Sequence, residues 1–212
     1  MSEFTVFDRP DGALAIRAPK LPAPHRLLIL LHGWGGNETS MGEFAQDLPE
    51  DYWVVAPRGI VEKSPGEYGW RFTILGRRSH LEENIQPARN IVQRIDAWAA
   101  ETEVDASHFS VMGFSQGAAL VYVLAGLFPE RLVRAVVLSG YIPRGLDLST
   151  VQLASIPFLI THGIEDEIIA VAEAHKALPM LEKAGAPVTY IEENYRHVVG
   201  KTGREAISQF LK

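Results

Sequence analysis

The sequence predicts an α/β fold in which a mainly parallel central sheet has helices on both faces and an antiparallel hairpin at its N-terminal edge. Two observations carry this prediction. Short aliphatic runs such as Leu27–Leu31 recur without polar interruption, which is typical of strands buried on both faces of a sheet. Segments with helical periodicity separate the later runs, and alternation of strands with helices favours parallel connections.

The edge hairpin is predicted from the first eighteen residues. Phe4–Phe7 and Ala13–Ala18 are short strand-like runs, and the segment between them contains Pro10 and the pair Asp11-Gly12. Proline and an Asp-Gly pair supply the backbone angles that a tight turn requires. The two runs are therefore expected to pair with each other.

The later elements alternate regularly. Apolar residues between Leu81 and Ala99 recur at steps of four and three, which indicates an amphipathic helix. Its continuous part is expected to begin near Asn84, because Pro87 is tolerated only near a helix start. The predicted strands are Leu27–Leu31, Trp53–Ala56, Phe109–Phe114, Ala135–Leu138, Phe158–Thr161 and Val188–Glu192, and the other predicted helices are Ala118–Phe128, Val171–Lys183 and Thr202–Leu211.

A segment without clear periodicity lies between Gly59 and Ser79. It carries the aromatic residues Tyr68, Trp70 and Phe72 among glycines. A long stretch without regular structure inside a compact domain is usually a functional loop. We call residues 59–79 the aromatic loop.

Composition limits the classes of function. The 212 residues are 47% hydrophobic and 22% charged, as expected for one domain spanning residues 1–212. The net charge of −6 argues against nucleic acid as a partner and favours a small molecule. The chain has no cysteine, no predicted transmembrane segment and no N-terminal secretory pattern, so a cytoplasmic location is expected.

The motif Gly113-Phe114-Ser115-Gln116-Gly117 stands between a predicted strand and a predicted helix. A Gly-x-Ser-x-Gly sequence in this context is typical of a sharp turn that exposes a nucleophilic serine, with small residues on either side to avoid collision. The following helix directs its first N–H groups at the same point. Ser115 is therefore the candidate nucleophile.

A serine nucleophile needs a base and a carboxylate that orients the base. Of seven histidines, His197 follows the last predicted strand, at the sheet edge where ligands bind. His32 and His162 are expected to be hydrogen-bonding struts, and the other four to lie at the surface. Three adjacent acids follow the strand that ends at Thr161, and spacing alone does not choose among Glu165, Asp166 and Glu167. The order serine, acid, histidine is that of the α/β-hydrolase fold.

These residues resemble the phospholipase/carboxylesterase family of serine hydrolases, which includes acyl-protein thioesterases. The resemblance covers nearly the whole chain, and its matching pieces are Leu-His-Gly at 31–33, Gly-Phe-Ser-Gln-Gly-Ala at 113–118, Leu-Ser-Gly-Tyr at 138–141 and His-Gly-x-x-Asp at 162–166. It implies the α/β-hydrolase fold and hydrolysis of small carboxylic esters or thioesters through an acyl-enzyme. It also implies Asp166 as the acid. In the family the catalytic histidine often follows glycine, whereas Arg196 precedes His197 here.

The resemblance further implies that the backbone N–H groups of Trp34 and Gln116 form the oxyanion hole. Gly33 and Gly35 would let the first of these loops turn its amide inward. Two roles are open for Trp70 and Phe72: they wall the substrate pocket, or they anchor the aromatic loop to the core.

Two other classes of function compete with this reading. One is a dienelactone-hydrolase-like or other hydrolase on the same fold, and the other is a non-catalytic ligand-binding module. A cysteine nucleophile would favour the first and loss of a triad member the second, whereas Ser115, Asp166 and His197 are all present. No metal-spaced or phosphate-binding motif occurs, so no cofactor is expected.

Overall fold

The structure of the protein, a computed structural model, describes residues 4–45, 48–73 and 77–212. Residues 1–3, which begin the N-terminal segment considered above, and residues 74–76 of the aromatic loop lie outside this description. The described strands are β1 Thr5–Phe7, β2 Leu14–Arg17, β3 Arg26–Leu31, β4 Tyr52–Pro57, β5 Val61–Ser64, β6 Glu67–Gly69, β7 Phe109–Phe114, β8 Leu132–Leu138, β9 Phe158–Gly163 and β10 Val188–Glu193. The described helices are α1 Gly42–Ala45, α2 Glu82–Thr102, α3 Gln116–Leu127, α4 Ala172–Lys183 and α5 Lys201–Phe210.

An eight-stranded sheet forms the centre of the fold, in the order β1-β2-β4-β3-β7-β8-β9-β10. β2 pairs antiparallel with both β1 and β4, and all other neighbours in this sheet are parallel. The predicted mainly parallel sheet and its N-terminal edge hairpin are confirmed. Because β3, β7, β8, β9 and β10 run in the same direction, the loops after them lie along one edge of the sheet.

The two faces of the sheet are both covered by helices, as predicted. In β3, Leu27, Ile29 and Leu31 belong to an apolar cluster that also contains residues of α2, α3 and α4. The alternate residues Leu28 and Leu30 belong to a second cluster with residues of α1 and α5. This alternation is what the two-residue period of a strand produces when both faces are buried. Within the described ranges, no helix is both long and apolar enough to cross a membrane.

Helix α3 is the most deeply buried helix segment of the fold. All residues from Gln116 to Ala125 are buried, and the helix packs against β7 and β8. A helix that is apolar on all sides is expected in the core and not at a surface. The packing of α3 against β7 and β8 therefore fixes the position of the turn that precedes the helix.

The aromatic loop is more regular than predicted, because β5 and β6 form a two-stranded antiparallel sheet within it. Their connection is Pro65-Gly66, and Gly66 has a φ of +81°. Proline followed by a glycine with positive φ suits the central positions of a type II turn. The Pro65-Gly66 pair could have indicated this hairpin from the sequence. The flanking strands, however, are too short and too polar to show the alternating pattern of a strand.

Two helical details also differ from the prediction. Helix α2 begins at Glu82, two residues before the expected start, and Pro87 lies within its second turn. The short helix α1 was not predicted, since four residues cannot display a helical period.

Arg94 of α2 connects this helix to two loops at the edge of the sheet. Its guanidinium donates hydrogen bonds to the carbonyl oxygens of Arg58, at 2.7 Å, and Ala13, at 2.9 Å. The side chain is fully buried, and burial lowers the pKa of Arg94. A Cβ atom at position 12 would lie 2.9 Å from this guanidinium, so Gly12 leaves the space that it occupies.

We expect Arg94→Met to lower the free energy of unfolding by about 2 kcal/mol, because two carbonyl groups lose a charged donor. Urea unfolding followed by circular dichroism measures this change. Arg89→Met is the matched control, since Arg89 is exposed on the same helix and its loss should change stability by less than about 0.5 kcal/mol. An Arg94→Met variant as stable as this control would contradict the prediction.

Candidate active site

Ser115 lies on a sharp turn between β7 and α3. Its φ of +55° and ψ of −112° fall outside the regions that residues with a side chain normally adopt. The Ser115 amide donates a 2.9 Å hydrogen bond to the carbonyl oxygen of Leu138, at the end of the neighbouring strand β8. Such strain persists only where the surroundings fix the backbone, and it is found preferentially at functional sites.

The two glycines of the motif allow the backbone to pack at this turn. A Cβ atom at position 113 would lie 2.4 Å from the carbonyl oxygen of Gly117. A Cβ atom at position 117 would lie 2.1 Å from the carbonyl oxygen of Leu31. Contacts this short involve backbone atoms that cannot rotate away. The motif therefore has its glycines where the turn leaves no room for a side chain.

His197 and Asp166 meet beside this turn. The Nδ1 atom of His197 lies 2.7 Å from Oδ2 of Asp166 and donates to it, which leaves Nε2 as the acceptor. The other oxygen of Asp166 accepts hydrogen bonds from the amides of Ile168, at 2.9 Å, and Ile169, at 2.8 Å. The ring of His197 packs 4.8 Å from that of Phe114, centroid to centroid.

The electrostatic environment keeps Asp166 ionised. Burial alone would raise the pKa of this carboxyl group. Hydrogen bonds from His162, His197 and the amide of Ile169 outweigh burial and hold the pKa of Asp166 well below its ordinary range. The side chain is fully buried, whereas that of Glu167 is 71% exposed and pairs with Arg196. Of the three adjacent acids, the structure brings Asp166 to His197.

The loops that carry Asp166 and His197 are bonded to each other. The amide of Ile164 donates to the carbonyl of Glu193 at 2.9 Å, and that of Glu165 donates to Tyr195 at 3.0 Å. A Cβ atom at position 163 would lie 2.2 Å from the carbonyl oxygen of Arg196. Arg196 thus fits in front of His197 by extending its charged side chain to solvent while its backbone crosses Gly163.

The remaining histidines occupy the positions that were predicted. His32 donates from Nδ1 to the carbonyl of Gly33 at 2.7 Å, and its Nε2 accepts from the amide of Gly59 at 2.9 Å. His162 donates from Nε2 to the carbonyl of Ile169 at 2.8 Å and lies 3.4 Å from Asp166. Both are buried struts. The exposed histidines are His25, His80, His108 and His175.

The loop that contains Trp34 is attached to the aromatic loop. The amide of Gly35 donates to the carbonyl of Tyr68 at 2.8 Å, and the amide of Tyr68 donates to Gly36 at 2.7 Å. A Cβ atom at position 69 would lie 2.1 Å from a ring carbon of Trp34, so this ring lies flat on Gly69. Two backbone hydrogen bonds and one ring contact therefore fix the loop beside Ser115.

The side chain of Gln116 has a structural role that sequence reasoning missed. It accepts a 2.6 Å hydrogen bond from the amide of Trp70 and donates to Arg71, at 2.9 Å, and Thr73, at 2.7 Å. The first residue of α3 thereby holds the aromatic loop over the site. Its partners are more than forty residues away in the sequence, so no local pattern could indicate them.

Trp70 and Phe72, for which two roles were open, differ in burial. Trp70 is 1% exposed and donates from its indole nitrogen to the carbonyl of His32 at 2.8 Å, and its ring lies 5.0 Å from the His32 ring at a tilt of 32°. It anchors the aromatic loop to the core. Phe72 is 71% exposed, and its ring lies 6.3 Å from that of Trp34, where it can contact a ligand.

Comparison with known proteins agrees with this architecture. A family profile described as Phospholipase/Carboxylesterase matches residues 12–212. The chain belongs to the phospholipase/carboxylesterase family. Among similar proteins, Esterase YpfH of Escherichia coli is 28% identical over 193 residues, which cover 87% of this chain and 80% of that protein.

Solved structures share this architecture. A carboxylesterase of Bacillus cereus superposes with a TM-score of 0.81 at 26% identity, covering 93% of this chain and 92% of its own. A carboxylesterase from Mesorhizobium loti shares the fold, with a TM-score of 0.84 at 22% identity over 98% of both chains. The predicted resemblance is confirmed: this member of the phospholipase/carboxylesterase family is an esterase-type hydrolase with the α/β-hydrolase fold.

The buried strut His32 generates a prediction about stability. Burial lowers the pKa of His32 from the ordinary value of 6.5, so the unfolded chain binds this proton more readily than the folded protein does. The free energy of unfolding should therefore fall as the pH drops below 6.5, until the lowered folded-state pKa is reached.

This prediction is tested by urea unfolding at pH 7.5 and at lower pH values. His32→Gln should show a smaller decrease in unfolding free energy than the unmodified protein, because the variant has no proton to bind at this position. The readout is the slope of unfolding free energy against pH. An overall loss of stability in the variant shifts the whole line and leaves this slope unaffected. Equal slopes would contradict the proposed contribution of His32.

Proposed function

We propose that this protein hydrolyses small carboxylic esters through Ser115, His197 and Asp166. The observation that carries the proposal is the 2.7 Å hydrogen bond between His197 and a buried, ionised Asp166, beside a strained serine at a helix N-terminus. In a neutral imidazole, a proton held on Nδ1 by this carboxylate leaves Nε2 able to take a proton from a hydroxyl group. The family and its carboxylesterase relatives support the same chemistry.

The proposed reaction has two halves. His197 Nε2 takes the Ser115 hydroxyl proton as Oγ bonds to the ester carbonyl carbon, and the tetrahedral intermediate carries a negative oxygen. The bond to the alcohol oxygen breaks, that oxygen takes the proton from Nε2, and the alcohol leaves an acyl-enzyme. Water then repeats the attack with His197 as base, which releases the acid and restores Ser115. A thioester would react in the same way and release a thiol.

We propose the backbone amides of Trp34 and Gln116 as the donors to the negative oxygen. The amides of Gly35 and Gly36 are already bonded inside the protein, to Tyr68 and Gly33. Gln116 is the first residue of α3, where an amide has no intrahelical acceptor. A helix N-terminus also favours negative charge. These features make the two amides suitable for an oxyanion hole.

The proposal assigns the substrate contacts in less detail than the catalytic residues. Phe72 and Trp34 are the exposed and half-buried aromatic groups that we propose as contacts for an uncharged part of the substrate. A small molecule remains the proposed partner and the cytoplasm the proposed location. No step of the reaction requires a cofactor.

Removal of any triad member should nearly abolish ester hydrolysis. We expect Ser115→Ala, His197→Ala and Asp166→Asn each to lower kcat/KM by about a thousandfold or more, without additivity, because the three residues act as one proton-transfer unit. Hydrolysis of a short p-nitrophenyl ester by folded variants measures the loss.

Glu167→Gln is the matched control for Asp166→Asn, because it removes an exposed carboxylate one residue away. It should retain activity within about threefold. Labelling by a fluorophosphonate should require Ser115, which also separates an esterase from a non-catalytic binding module. A strong loss in Glu167→Gln together with a normal Asp166→Asn would show that the acid is assigned wrongly.

The oxyanion assignment predicts a difference between two substitutions at one position. Trp34→Pro removes the amide donor and should lower kcat for a short acyl ester by about a hundredfold or more relative to Trp34→Ala, which keeps it. The comparison uses folded samples of both variants and one substrate. If the two variants turn over equally fast, the amide at position 34 is not a donor.

A further inference from the structure

A cavity of about 430 Å³ opens beside His197 on the side of α1 and α5. This volume lies within the range of small-molecule sites in proteins. Its walls come from the loop at 33–36, from Phe114 and from the loop at 197–199. The apolar side chains that line it are Trp34, Met41, Phe44, Phe114, Val198 and Val199.

The position of this cavity relative to the proposed chemistry limits what it can hold. In the tetrahedral intermediate, the leaving oxygen must lie near His197 Nε2, because it takes its proton from there. The group attached to that oxygen therefore extends into space bordered by His197. The cavity is bordered by His197 and by Val198 and Val199, which follow it. The acyl chain receives no proton from His197, so the mechanism does not require it to lie in this cavity.

The chemical character of the walls limits the ligand further. Besides His197, the charged residues among the described lining are Glu43 and Arg204. They form a 2.6 Å ion pair with each other, and the guanidinium of Arg204 also lies 5.0 Å from the ring centre of Phe44. The two charges neutralise each other, and the other side chains of the lining are the six apolar ones, the imidazole of His197 and the hydroxyl of Ser40.

We propose that this cavity is the leaving-group subsite and that it selects esters of compact, uncharged, apolar alcohols such as benzyl or short branched alkyl alcohols. The inference rests on the proposed function, because it assigns the cavity through the proton that His197 delivers. Trp34 borders this subsite and also lies beside Phe72, so it separates the alcohol from the region of the aromatic loop.

The test exploits the order of the two half-reactions. The alcohol has left the enzyme before deacylation begins. A substitution in the leaving-group subsite should therefore change the rate of acylation and leave the deacylation rate constant unchanged. Val198→Phe fills the cavity from a side chain that is 52% exposed, which keeps the risk of misfolding low. Val198→Ala enlarges the same space. Val133→Phe is the matched control, because Val133 is an exposed valine outside the cavity lining.

Two substrate series are measured with each variant. Acetate esters of methyl, isobutyl and benzyl alcohol vary the leaving group, and methyl esters of acetic, butyric and octanoic acid vary the acyl group. We expect Val198→Phe to lower kcat/KM for benzyl acetate about tenfold more than for methyl acetate, with the reverse trend in Val198→Ala. The dependence on acyl length and the deacylation rate constant after a p-nitrophenyl acetate burst should match those of Val133→Phe.

The opposite pattern would overturn the inference. If Val198→Phe slows deacylation more for longer acyl groups, or changes the preference for acyl length and not for the alcohol, the cavity holds the acyl chain. Unchanged selectivity in both Val198 variants would also refute it. If the unmodified protein shows neither a burst nor fluorophosphonate labelling of Ser115, the proposed function itself fails, which is a distinguishable result.

Discussion

At the start of α3 the backbone of Gly117 touches the backbone of Leu31 at the end of β3, with no side chain between them. This contact places the positive end of a helix directly over the edge of the sheet. Ser115 and Gly33 come together as a result, since a Cβ atom at position 33 would lie 3.3 Å from that of Ser115. Ser115, which we propose as the nucleophile, the loop at 33–36 and the first amide of the helix therefore share one rigid backbone framework.

Much of this arrangement could be predicted because it depends on local patterns. The uninterrupted aliphatic runs and the glycines of the serine turn are visible in short windows of sequence. Parallel strands bring the loops after them to one edge, so Ser115, Asp166 and His197 could be placed together before any contact was known. The choice of Asp166 as the candidate acid required the family resemblance, and the structure adds that Asp166 is buried against His197 whereas Glu167 is exposed.

The features that escaped prediction depend on contacts between distant segments. Whether Trp70 points into the core depends on the carbonyl of His32, and the role of the Gln116 side chain depends on the same loop. The loop at 194–199 crosses Gly163 closely, so the position before His197 can hold Arg196, whose side chain extends to solvent while its backbone packs on Gly163. A short stretch of sequence does not show which distant residues its side chains will contact.

The three hydrogen bonds of the Gln116 side chain also bear on how this enzyme could acquire new substrates. They join the aromatic loop to the residue whose amide we propose as an oxyanion donor. A change in the conformation of the aromatic loop would therefore also act on the first residue of α3. A change of specificity through the proposed substrate contact Phe72 would therefore also affect the proposed oxyanion donor, whereas α1 is not bonded to the Gln116 side chain and can vary more freely.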